Sequence, residues 1–297
     1  MSLTQSFAVG KLTCHTLEAG LQRLDGGAMF GIVPKVLWQT RIAPDEANRI
    51  PLAMRCLLIE HDAGPILVDT GLGNKESEKF KGIYGIENTG VGGRTQLEDA
   101  LKEIGFVPED ISMVINTHLH FDHAGGNTWT EGESGASAVP AFPNAVYVVQ
   151  KGELEFAGRL NERTAGSYFS PNFDPITDAG MWRLVEGRAE LLPGIDVVPT
   201  PGHTPHHQSV MIADGGDTAC FIADLVPTSA HLPLPWIMGY DLDPLLTLET
   251  KREVLARAEQ EGWLLVFEHD PESEVGRVER DGKSFVFAPL DTSPASG

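Results

Sequence analysis

Thr117-His118-Leu119-His120-Phe121-Asp122-His123-Ala124-Gly125-Gly126 is the stretch on which the reading of this chain turns. It follows an apolar run, residues 111–116, that reads as a buried strand. In an extended segment side chains two apart point the same way, so His118 and His120 converge on one point. Asp122 and His123 fall where the chain must turn and reach a second point a few ångströms away. Gly125 and Gly126 then permit a tight backbone. A surface or core cluster explains one histidine well. It explains poorly three histidines and an aspartate within six residues at a strand end. The spacing therefore supplies ligands for two metal ions.

Two metals need more ligands, and three further strand ends carry them. Gly202-His203-Thr204 follows the strand expected at 195–199, Asp224 follows 218–223, and His269 follows 263–268. One carboxylate bridges two cations, and Asp224 is the natural candidate. The remaining strands are expected at 54–60, 65–68, 145–149, 209–212 and 284–288, with Asp214-Gly215-Gly216-Asp217 as a hairpin turn. Leu97, Ala100, Leu101 and Ile104 mark one face of a helix over 94–104 that stops at Gly105. A second helix spans 248–260 with Leu248, Val254, Leu255 and Ala258 inward, and a short one follows Lys151. Hairpins mixed with strand–helix alternation predict an α/β domain with mixed sheets. Residues 25–50 and 129–144 read as long loops, the latter containing Glu131-Gly132-Glu133-Ser134-Gly135.

The order His118/His120/Asp122/His123, Gly202-His203-Thr204, Asp224, His269 resembles the metallo-β-lactamase superfamily over most of the chain. The resemblance implies a four-layer αββα sandwich of two mixed β-sheets with metals at one edge. It implies one site from His118, His120 and His203, and another from Asp122, His123 and His269, with Asp224 shared. His207 matches a histidine that the family often repeats, and His206 reads as solvent-facing or loop-packing. Asp69, in Val68-Asp69-Thr70-Gly71, matches an aspartate that supports the ligand loop, and reads equally as a strand-end turn residue. Leu24-Asp25-Gly26-Gly27-Ala28-Met29-Phe30-Gly31 with Trp38, Asp224-Leu225-Val226-Pro227-Thr228 and Glu268-His269-Asp270 look like the YtnP-like branch of quorum-quenching N-acyl-homoserine lactone lactonases. Methyl-parathion-hydrolase-like phosphotriesterases are similar, and thioester hydrolases belong to the same superfamily. The implied activity is hydrolysis of a lactone or ester by a hydroxide shared between two divalent ions, zinc or else Mn, Fe or Co, with Asp122 passing a proton. Diiron oxygen-binding relatives carry Glu at the place of His120, so His argues for hydrolysis. Met29, Phe30 and Trp38 offer an apolar wall for an acyl chain, or equally fill the core. Homoserine lactonases have a tyrosine soon after the bridging aspartate. Here the first tyrosine after Asp224 is Tyr240, so His231 or Tyr240 substitutes, or the substrate differs.

Composition narrows the partners. The chain has 297 residues, 22 Lys plus Arg against 42 Asp plus Glu, and a net charge of -20. That charge repels nucleic acid and anionic membranes and suits a neutral small molecule. Three cysteines without close spacing, no signal-like start and no long apolar run suggest a cytoplasmic protein with reduced thiols. About 150 residues per domain suggests two domains. His118 and His269 must meet, however, so one domain over 1–297 is expected. Trp236-Ile237-Met238 reads as a homodimer face or a pocket wall.

Overall fold

A computed structural model describes residues 2–130 and 137–290, and the Glu131-Gly132-Glu133-Ser134-Gly135 stretch lies outside them. The first sheet is built from β1 (Thr4–Val9), β2 (Leu12–Asp25), β3 (Arg49–Glu60), β4 (Ile66–Val68) and β5 (Met113–Ile115). After a separate antiparallel pair, β6 (Thr128–Thr130) and β7 (Ala138–Pro140), it is completed by β8 (Val146–Gln150) and β9 (Trp182–Val185). The second holds β10 (Ala189–Leu192), β11 (Ile195–Pro199), β12 (Gln208–Asp214), β13 (Asp217–Phe221), β14 (Leu264–Val266), β15 (Val275–Asp281) and β16 (Ser284–Pro289). Among the described residues each large sheet has seven strands, ordered β1-β2-β3-β4-β5-β8-β9 and β10 through β16 in sequence. Both are mixed. Pairing is parallel from β4 through β5 and β8 to β9, and again between β13 and β14.

The layers follow from the period-2 alternation of strands buried on both faces. In β3, Leu57 and Ile59 point between the sheets and meet Val197, Val210, Ile212 and Phe221. Cys56 and Leu58 point outward and meet Leu97, Ala100 and Leu101 of the helix Gln96–Glu103. On the other side the helix Pro244–Glu261 lays Leu255 and Ala258 on Cys220, Leu265 and Phe267. Helix, sheet, sheet and helix give the αββα sandwich that the resemblance implied. The three cysteines are buried and unpaired. Among the described residues no helix is long and apolar enough to cross a membrane.

Four expectations need correction. The 25–50 stretch is not a plain loop. It holds the helices Gly26–Phe30 and Lys35–Trp38, the first capped by the Asp25 side chain, which accepts from the Ala28 amide at 2.9 Å. The long C-terminal helix starts at Pro244, not 248, because Asp243 caps it and proline fits its first turn. Strands β1, β2, β9, β10 and β15 carry no clean alternation. In β2 a register shift between Glu18 and Leu21 resets the phase midway. Part of the expected 129–144 loop is strand, in the antiparallel pair of β6 with β7.

The ligand stretch lies tight against the loop after β4. A Cβ on Gly126 would collide with the Thr70 carbonyl, while the Gly126 amide donates to Gly71 at 2.9 Å. Gly126→Ala should therefore destabilise the chain by about 1–3 kcal/mol through overpacking. Urea unfolding should show a lower midpoint at unchanged slope, and an unchanged midpoint would contradict this packing.

Candidate metal centre

Parallel pairing brings the C-terminal ends of β4, β5, β13 and β14 to one edge, and the loop after β11 joins them. Asp69, the 118–123 stretch, His203, Asp224 and His269 all leave the sheets there. Two backbones are forced. Asp69 (φ 53) and Ala223 (φ 46) adopt left-handed conformations without being glycine. Such strain persists only where the surroundings over-determine it, and it concentrates at functional sites. Gly202 (φ 138) packs so closely on Thr247 that a Cβ would collide with it, which turns the chain to aim His203 inward.

All seven candidate ligands come together. Ligand atoms of His118, His120, His203 and Asp224 lie within 4.8 Å of one another, and so do those of Asp122, His123 and His269. Asp224 faces both groups. Its Oδ2 lies 2.9 Å from His203 Nε2 and 3.8 Å from His118 Nε2, and its Oδ1 lies 3.1 Å from His269 Nε2. Every one of these side chains except half-buried His120 is buried.

The outer nitrogens are already committed. His203 Nδ1 donates to Asp241 at 3.0 Å, and His269 Nδ1 donates to the Ala53 carbonyl at 2.7 Å. His123 Nδ1 faces Asp69 at 3.1 Å and Glu268 at 3.0 Å. Asp69 is itself held by the amide and hydroxyl of Thr117, at 2.8 and 2.6 Å. These contacts fix the tautomers and turn each Nε2 lone pair inward. His203 Nε2 then faces His120 Nδ1 at 3.1 Å, and His269 Nε2 faces His123 Nε2 at 3.2 Å. His118 Nε2 and Asp224 Oδ1 are buried without a hydrogen bond. Acceptors facing acceptors need a positive charge between them, from a proton or a metal ion. Burial opposes charge on His203 and His269, yet Asp224 outweighs it and pushes them up to about 10 and about 9. Burial and neighbouring imidazoles hold His118 and His120 down, as neutral donors of lone pairs. An all-N/O donor set of this kind fits divalent transition ions.

A cavity of about 400 Å³ opens over the cluster. Leu24, Met29, Phe121, Met238 and Leu242 give it an apolar side, and His120, Asp122, His203, Asp224 and His269 form its floor. Of the four residues considered for the substrate wall, only Met29 lines it. Phe30, Trp38 and His231 are fully buried behind it, with Phe30 stacked on Trp38 at 5.3 Å and on His231 at 4.4 Å. Burial pushes His231 down to about 3, and its Nε2 donates to the Met29 carbonyl at 2.9 Å. Its neutral ring thus braces the wall. Tyr240 does reach the cavity, and Met238 makes the 236–238 stretch part of that wall. His206 packs on Gly152, away from the cluster.

Sequence reasoning missed Asp241, Glu268 and Gln22, whose amide donates to Asp122. Glu268 had one signal, its place beside His269. Asp241 and Gln22 had none, because topology alone brings them in.

The chain belongs to the metallo-β-lactamase superfamily, whose model matches residues 51–269. It is a metal-dependent hydrolase of that superfamily. An N-acyl homoserine lactonase from a Bacillus species is 31% identical over 245 residues, covering 79% of this chain and 87% of its own. A probable metal-dependent hydrolase from Staphylococcus aureus superposes with a TM-score of 0.86 at 30% identity, over 97% of this chain and 100% of its own. An N-acyl homoserine lactone hydrolase solved with N-hexanoyl-L-homoserine at its catalytic metal centre is 28% identical with a TM-score of 0.66. That match covers 90% of this chain and 95% of its own.

Asp241→Ala frees His203 Nδ1 and should weaken metal binding by about 10–100-fold, the scale of losing such an outer partner. Competition with a chelating indicator measures it, and parent-like affinity would show that His203 needs no such anchor.

Proposed function

We propose that this chain is a binuclear lactonase that opens N-acyl-homoserine lactones or related lactones and esters, with zinc as both ions. The observation that carries the reading is Asp224, whose two oxygens face two separate ligand groups. His118, His120 and His203 would hold one ion, Asp122, His123 and His269 the other, with Asp224 shared. Divalent ions there would supply Lewis acidity and an activated water at neutral pH.

The chain's own residues do the rest. Leu24, Met29, Met238 and Leu242 take the acyl chain out of water. Tyr240 donates to the ester carbonyl. Burial pushes its phenol up to about 12, so it stays a neutral donor at working pH. Asp122 Oδ2 lies 3.7 Å from His269 Nε2, and the Gln22 amide fixes its rotamer. From the cavity floor Asp122 accepts the proton released on attack and passes it to the leaving alkoxide. Asp69 holds His123 and the ligand loop. A net charge of -20 favours a neutral lactone over an anionic substrate. Ligands from both sheets support a single domain over 1–297, and three unpaired thiols fit a reducing cytoplasm.

The test is a zinc-reconstituted panel of acyl-homoserine lactones, other lactones, aryl esters, glutathione thioesters and phosphotriesters. Lactone opening should have the highest kcat/KM. Activity confined to thioesters or phosphotriesters, or oxygen reduction with colour, would replace the reading. Asp224→Ala should lose an ion and more activity than the about 10–100-fold cost of an outer partner. Tyr240→Phe should cost about 10-fold in kcat/KM, one hydrogen bond's worth. An unchanged value would remove the tyrosine from the reaction.

A further inference from the structure

One buried carboxylate near the cluster has three partners and no part in the proposed reaction. Glu153 lies in the first turn of the helix Lys151–Ala157, directly after β8, and is fully buried. Its Oε1 accepts from the Leu119 amide at 3.2 Å and from the Tyr168 hydroxyl at 2.8 Å. Its Oε2 accepts from the Thr204 hydroxyl at 2.7 Å. Each partner adjoins one ligand group only. Leu119 stands between His118 and His120, and Thr204 follows His203. The Tyr168 ring sits edge-on to His120, centroids 4.6 Å apart. None of the three is a sequence neighbour of Asp122, His123 or His269.

We propose that Glu153 is the positioning residue of the first ligand group, tying the 118–120 stretch to the loop that carries His203. This rests on the two-ion reading above. The 118–120 stretch and the loop that carries His203 leave different sheets, and Glu153 bonds to both, through the Leu119 amide and the Thr204 hydroxyl. A carboxylate out of water is stable only when donors replace its hydration, so Glu153 also demands that all three partners stay in place. The second group has its own anchors, Asp69 and the Ala53 carbonyl, and does not depend on Glu153.

The experiment compares zinc content and affinity in the full-length parent, Glu153→Leu, Glu153→Gln and Thr204→Val chains, dialysed at defined free zinc. Absorption of the cobalt-substituted proteins provides a second readout. The parent should hold two ions, and Glu153→Leu should hold one, its weaker site falling by about 10–100-fold. Glu153→Gln should restore two ions, because its oxygen still accepts from Leu119 and Tyr168 while its amide donates to the Thr204 hydroxyl. Thr204→Val should fall between. If Glu153→Leu does not fold, a Tyr168→Phe/Thr204→Val chain takes its place. Two ions at parent affinity with only a lower melting temperature overturns the proposal, as does a Gln variant as deficient as Leu. A parent holding fewer than two ions overturns the two-ion reading itself, and this inference with it.

Discussion

A single buried carboxylate sets the terms for this molecule. Asp224 has four imidazoles within 3.8 Å, those of His118, His123, His203 and His269. Burial alone would force it to take up a proton, but His203, His123 and His269 outweigh that and hold it well below the usual carboxylate range. Those histidines arrive from three places: the end of β5, the loop after β11 and the end of β14. Asp224 itself leaves β13. The two sheets must therefore meet at one edge in a fixed relation, or the anion is left uncompensated in a dry interior.

That demand explains features which packing alone does not. The left-handed backbones at Asp69 and Ala223 sit one residue past β4 and two residues past β13, where the chain must turn within a residue or two to present a carboxylate. Each costs free energy that the apolar layer between the sheets repays. The outer anchors extend the same logic. Asp241, Asp69 and the Ala53 carbonyl each take one ring nitrogen, so that the other is free to face inward. A cluster of acceptors preorganised in this way repels itself until a proton or a metal ion enters, and so stability and metal binding are linked.

Much of this was legible in the sequence because the chemistry is local. Six consecutive residues carry four ligands, and His203, Asp224 and His269 each follow an apolar run that reads as a strand. The long β2 was not legible, since its register shift breaks the alternation that marks a strand. The helices within 25–50 were hidden for another reason. At five and four residues they are too short for a 3.6-residue period to emerge, and only the Asp25 cap hints at the first. Asp241 and Gln22 lie 38 residues after His203 and 100 before Asp122, so no pattern along the chain links them to their partners.

The apolar wall shows where composition misleads. Met29, Phe30 and Trp38 look alike to a sequence reader, as large apolar groups on a glycine-rich segment. Helix geometry separates them. Met29 and Phe30 are neighbours on one turn, so one faces the cavity and the other the interior. Behind them Phe30, Trp38 and His231 form a stack, and the Lys251 ammonium donates to the carbonyls of His231, Pro233 and Trp236. The wall thus has two layers with different duties. Met29, Met238 and Tyr240 meet whatever enters, and the stack with its buried lysine fixes where they stand. Because packed interiors transmit displacement, a change in the inner layer shifts the outer one, and the shape of the cavity is set partly by residues that never line it.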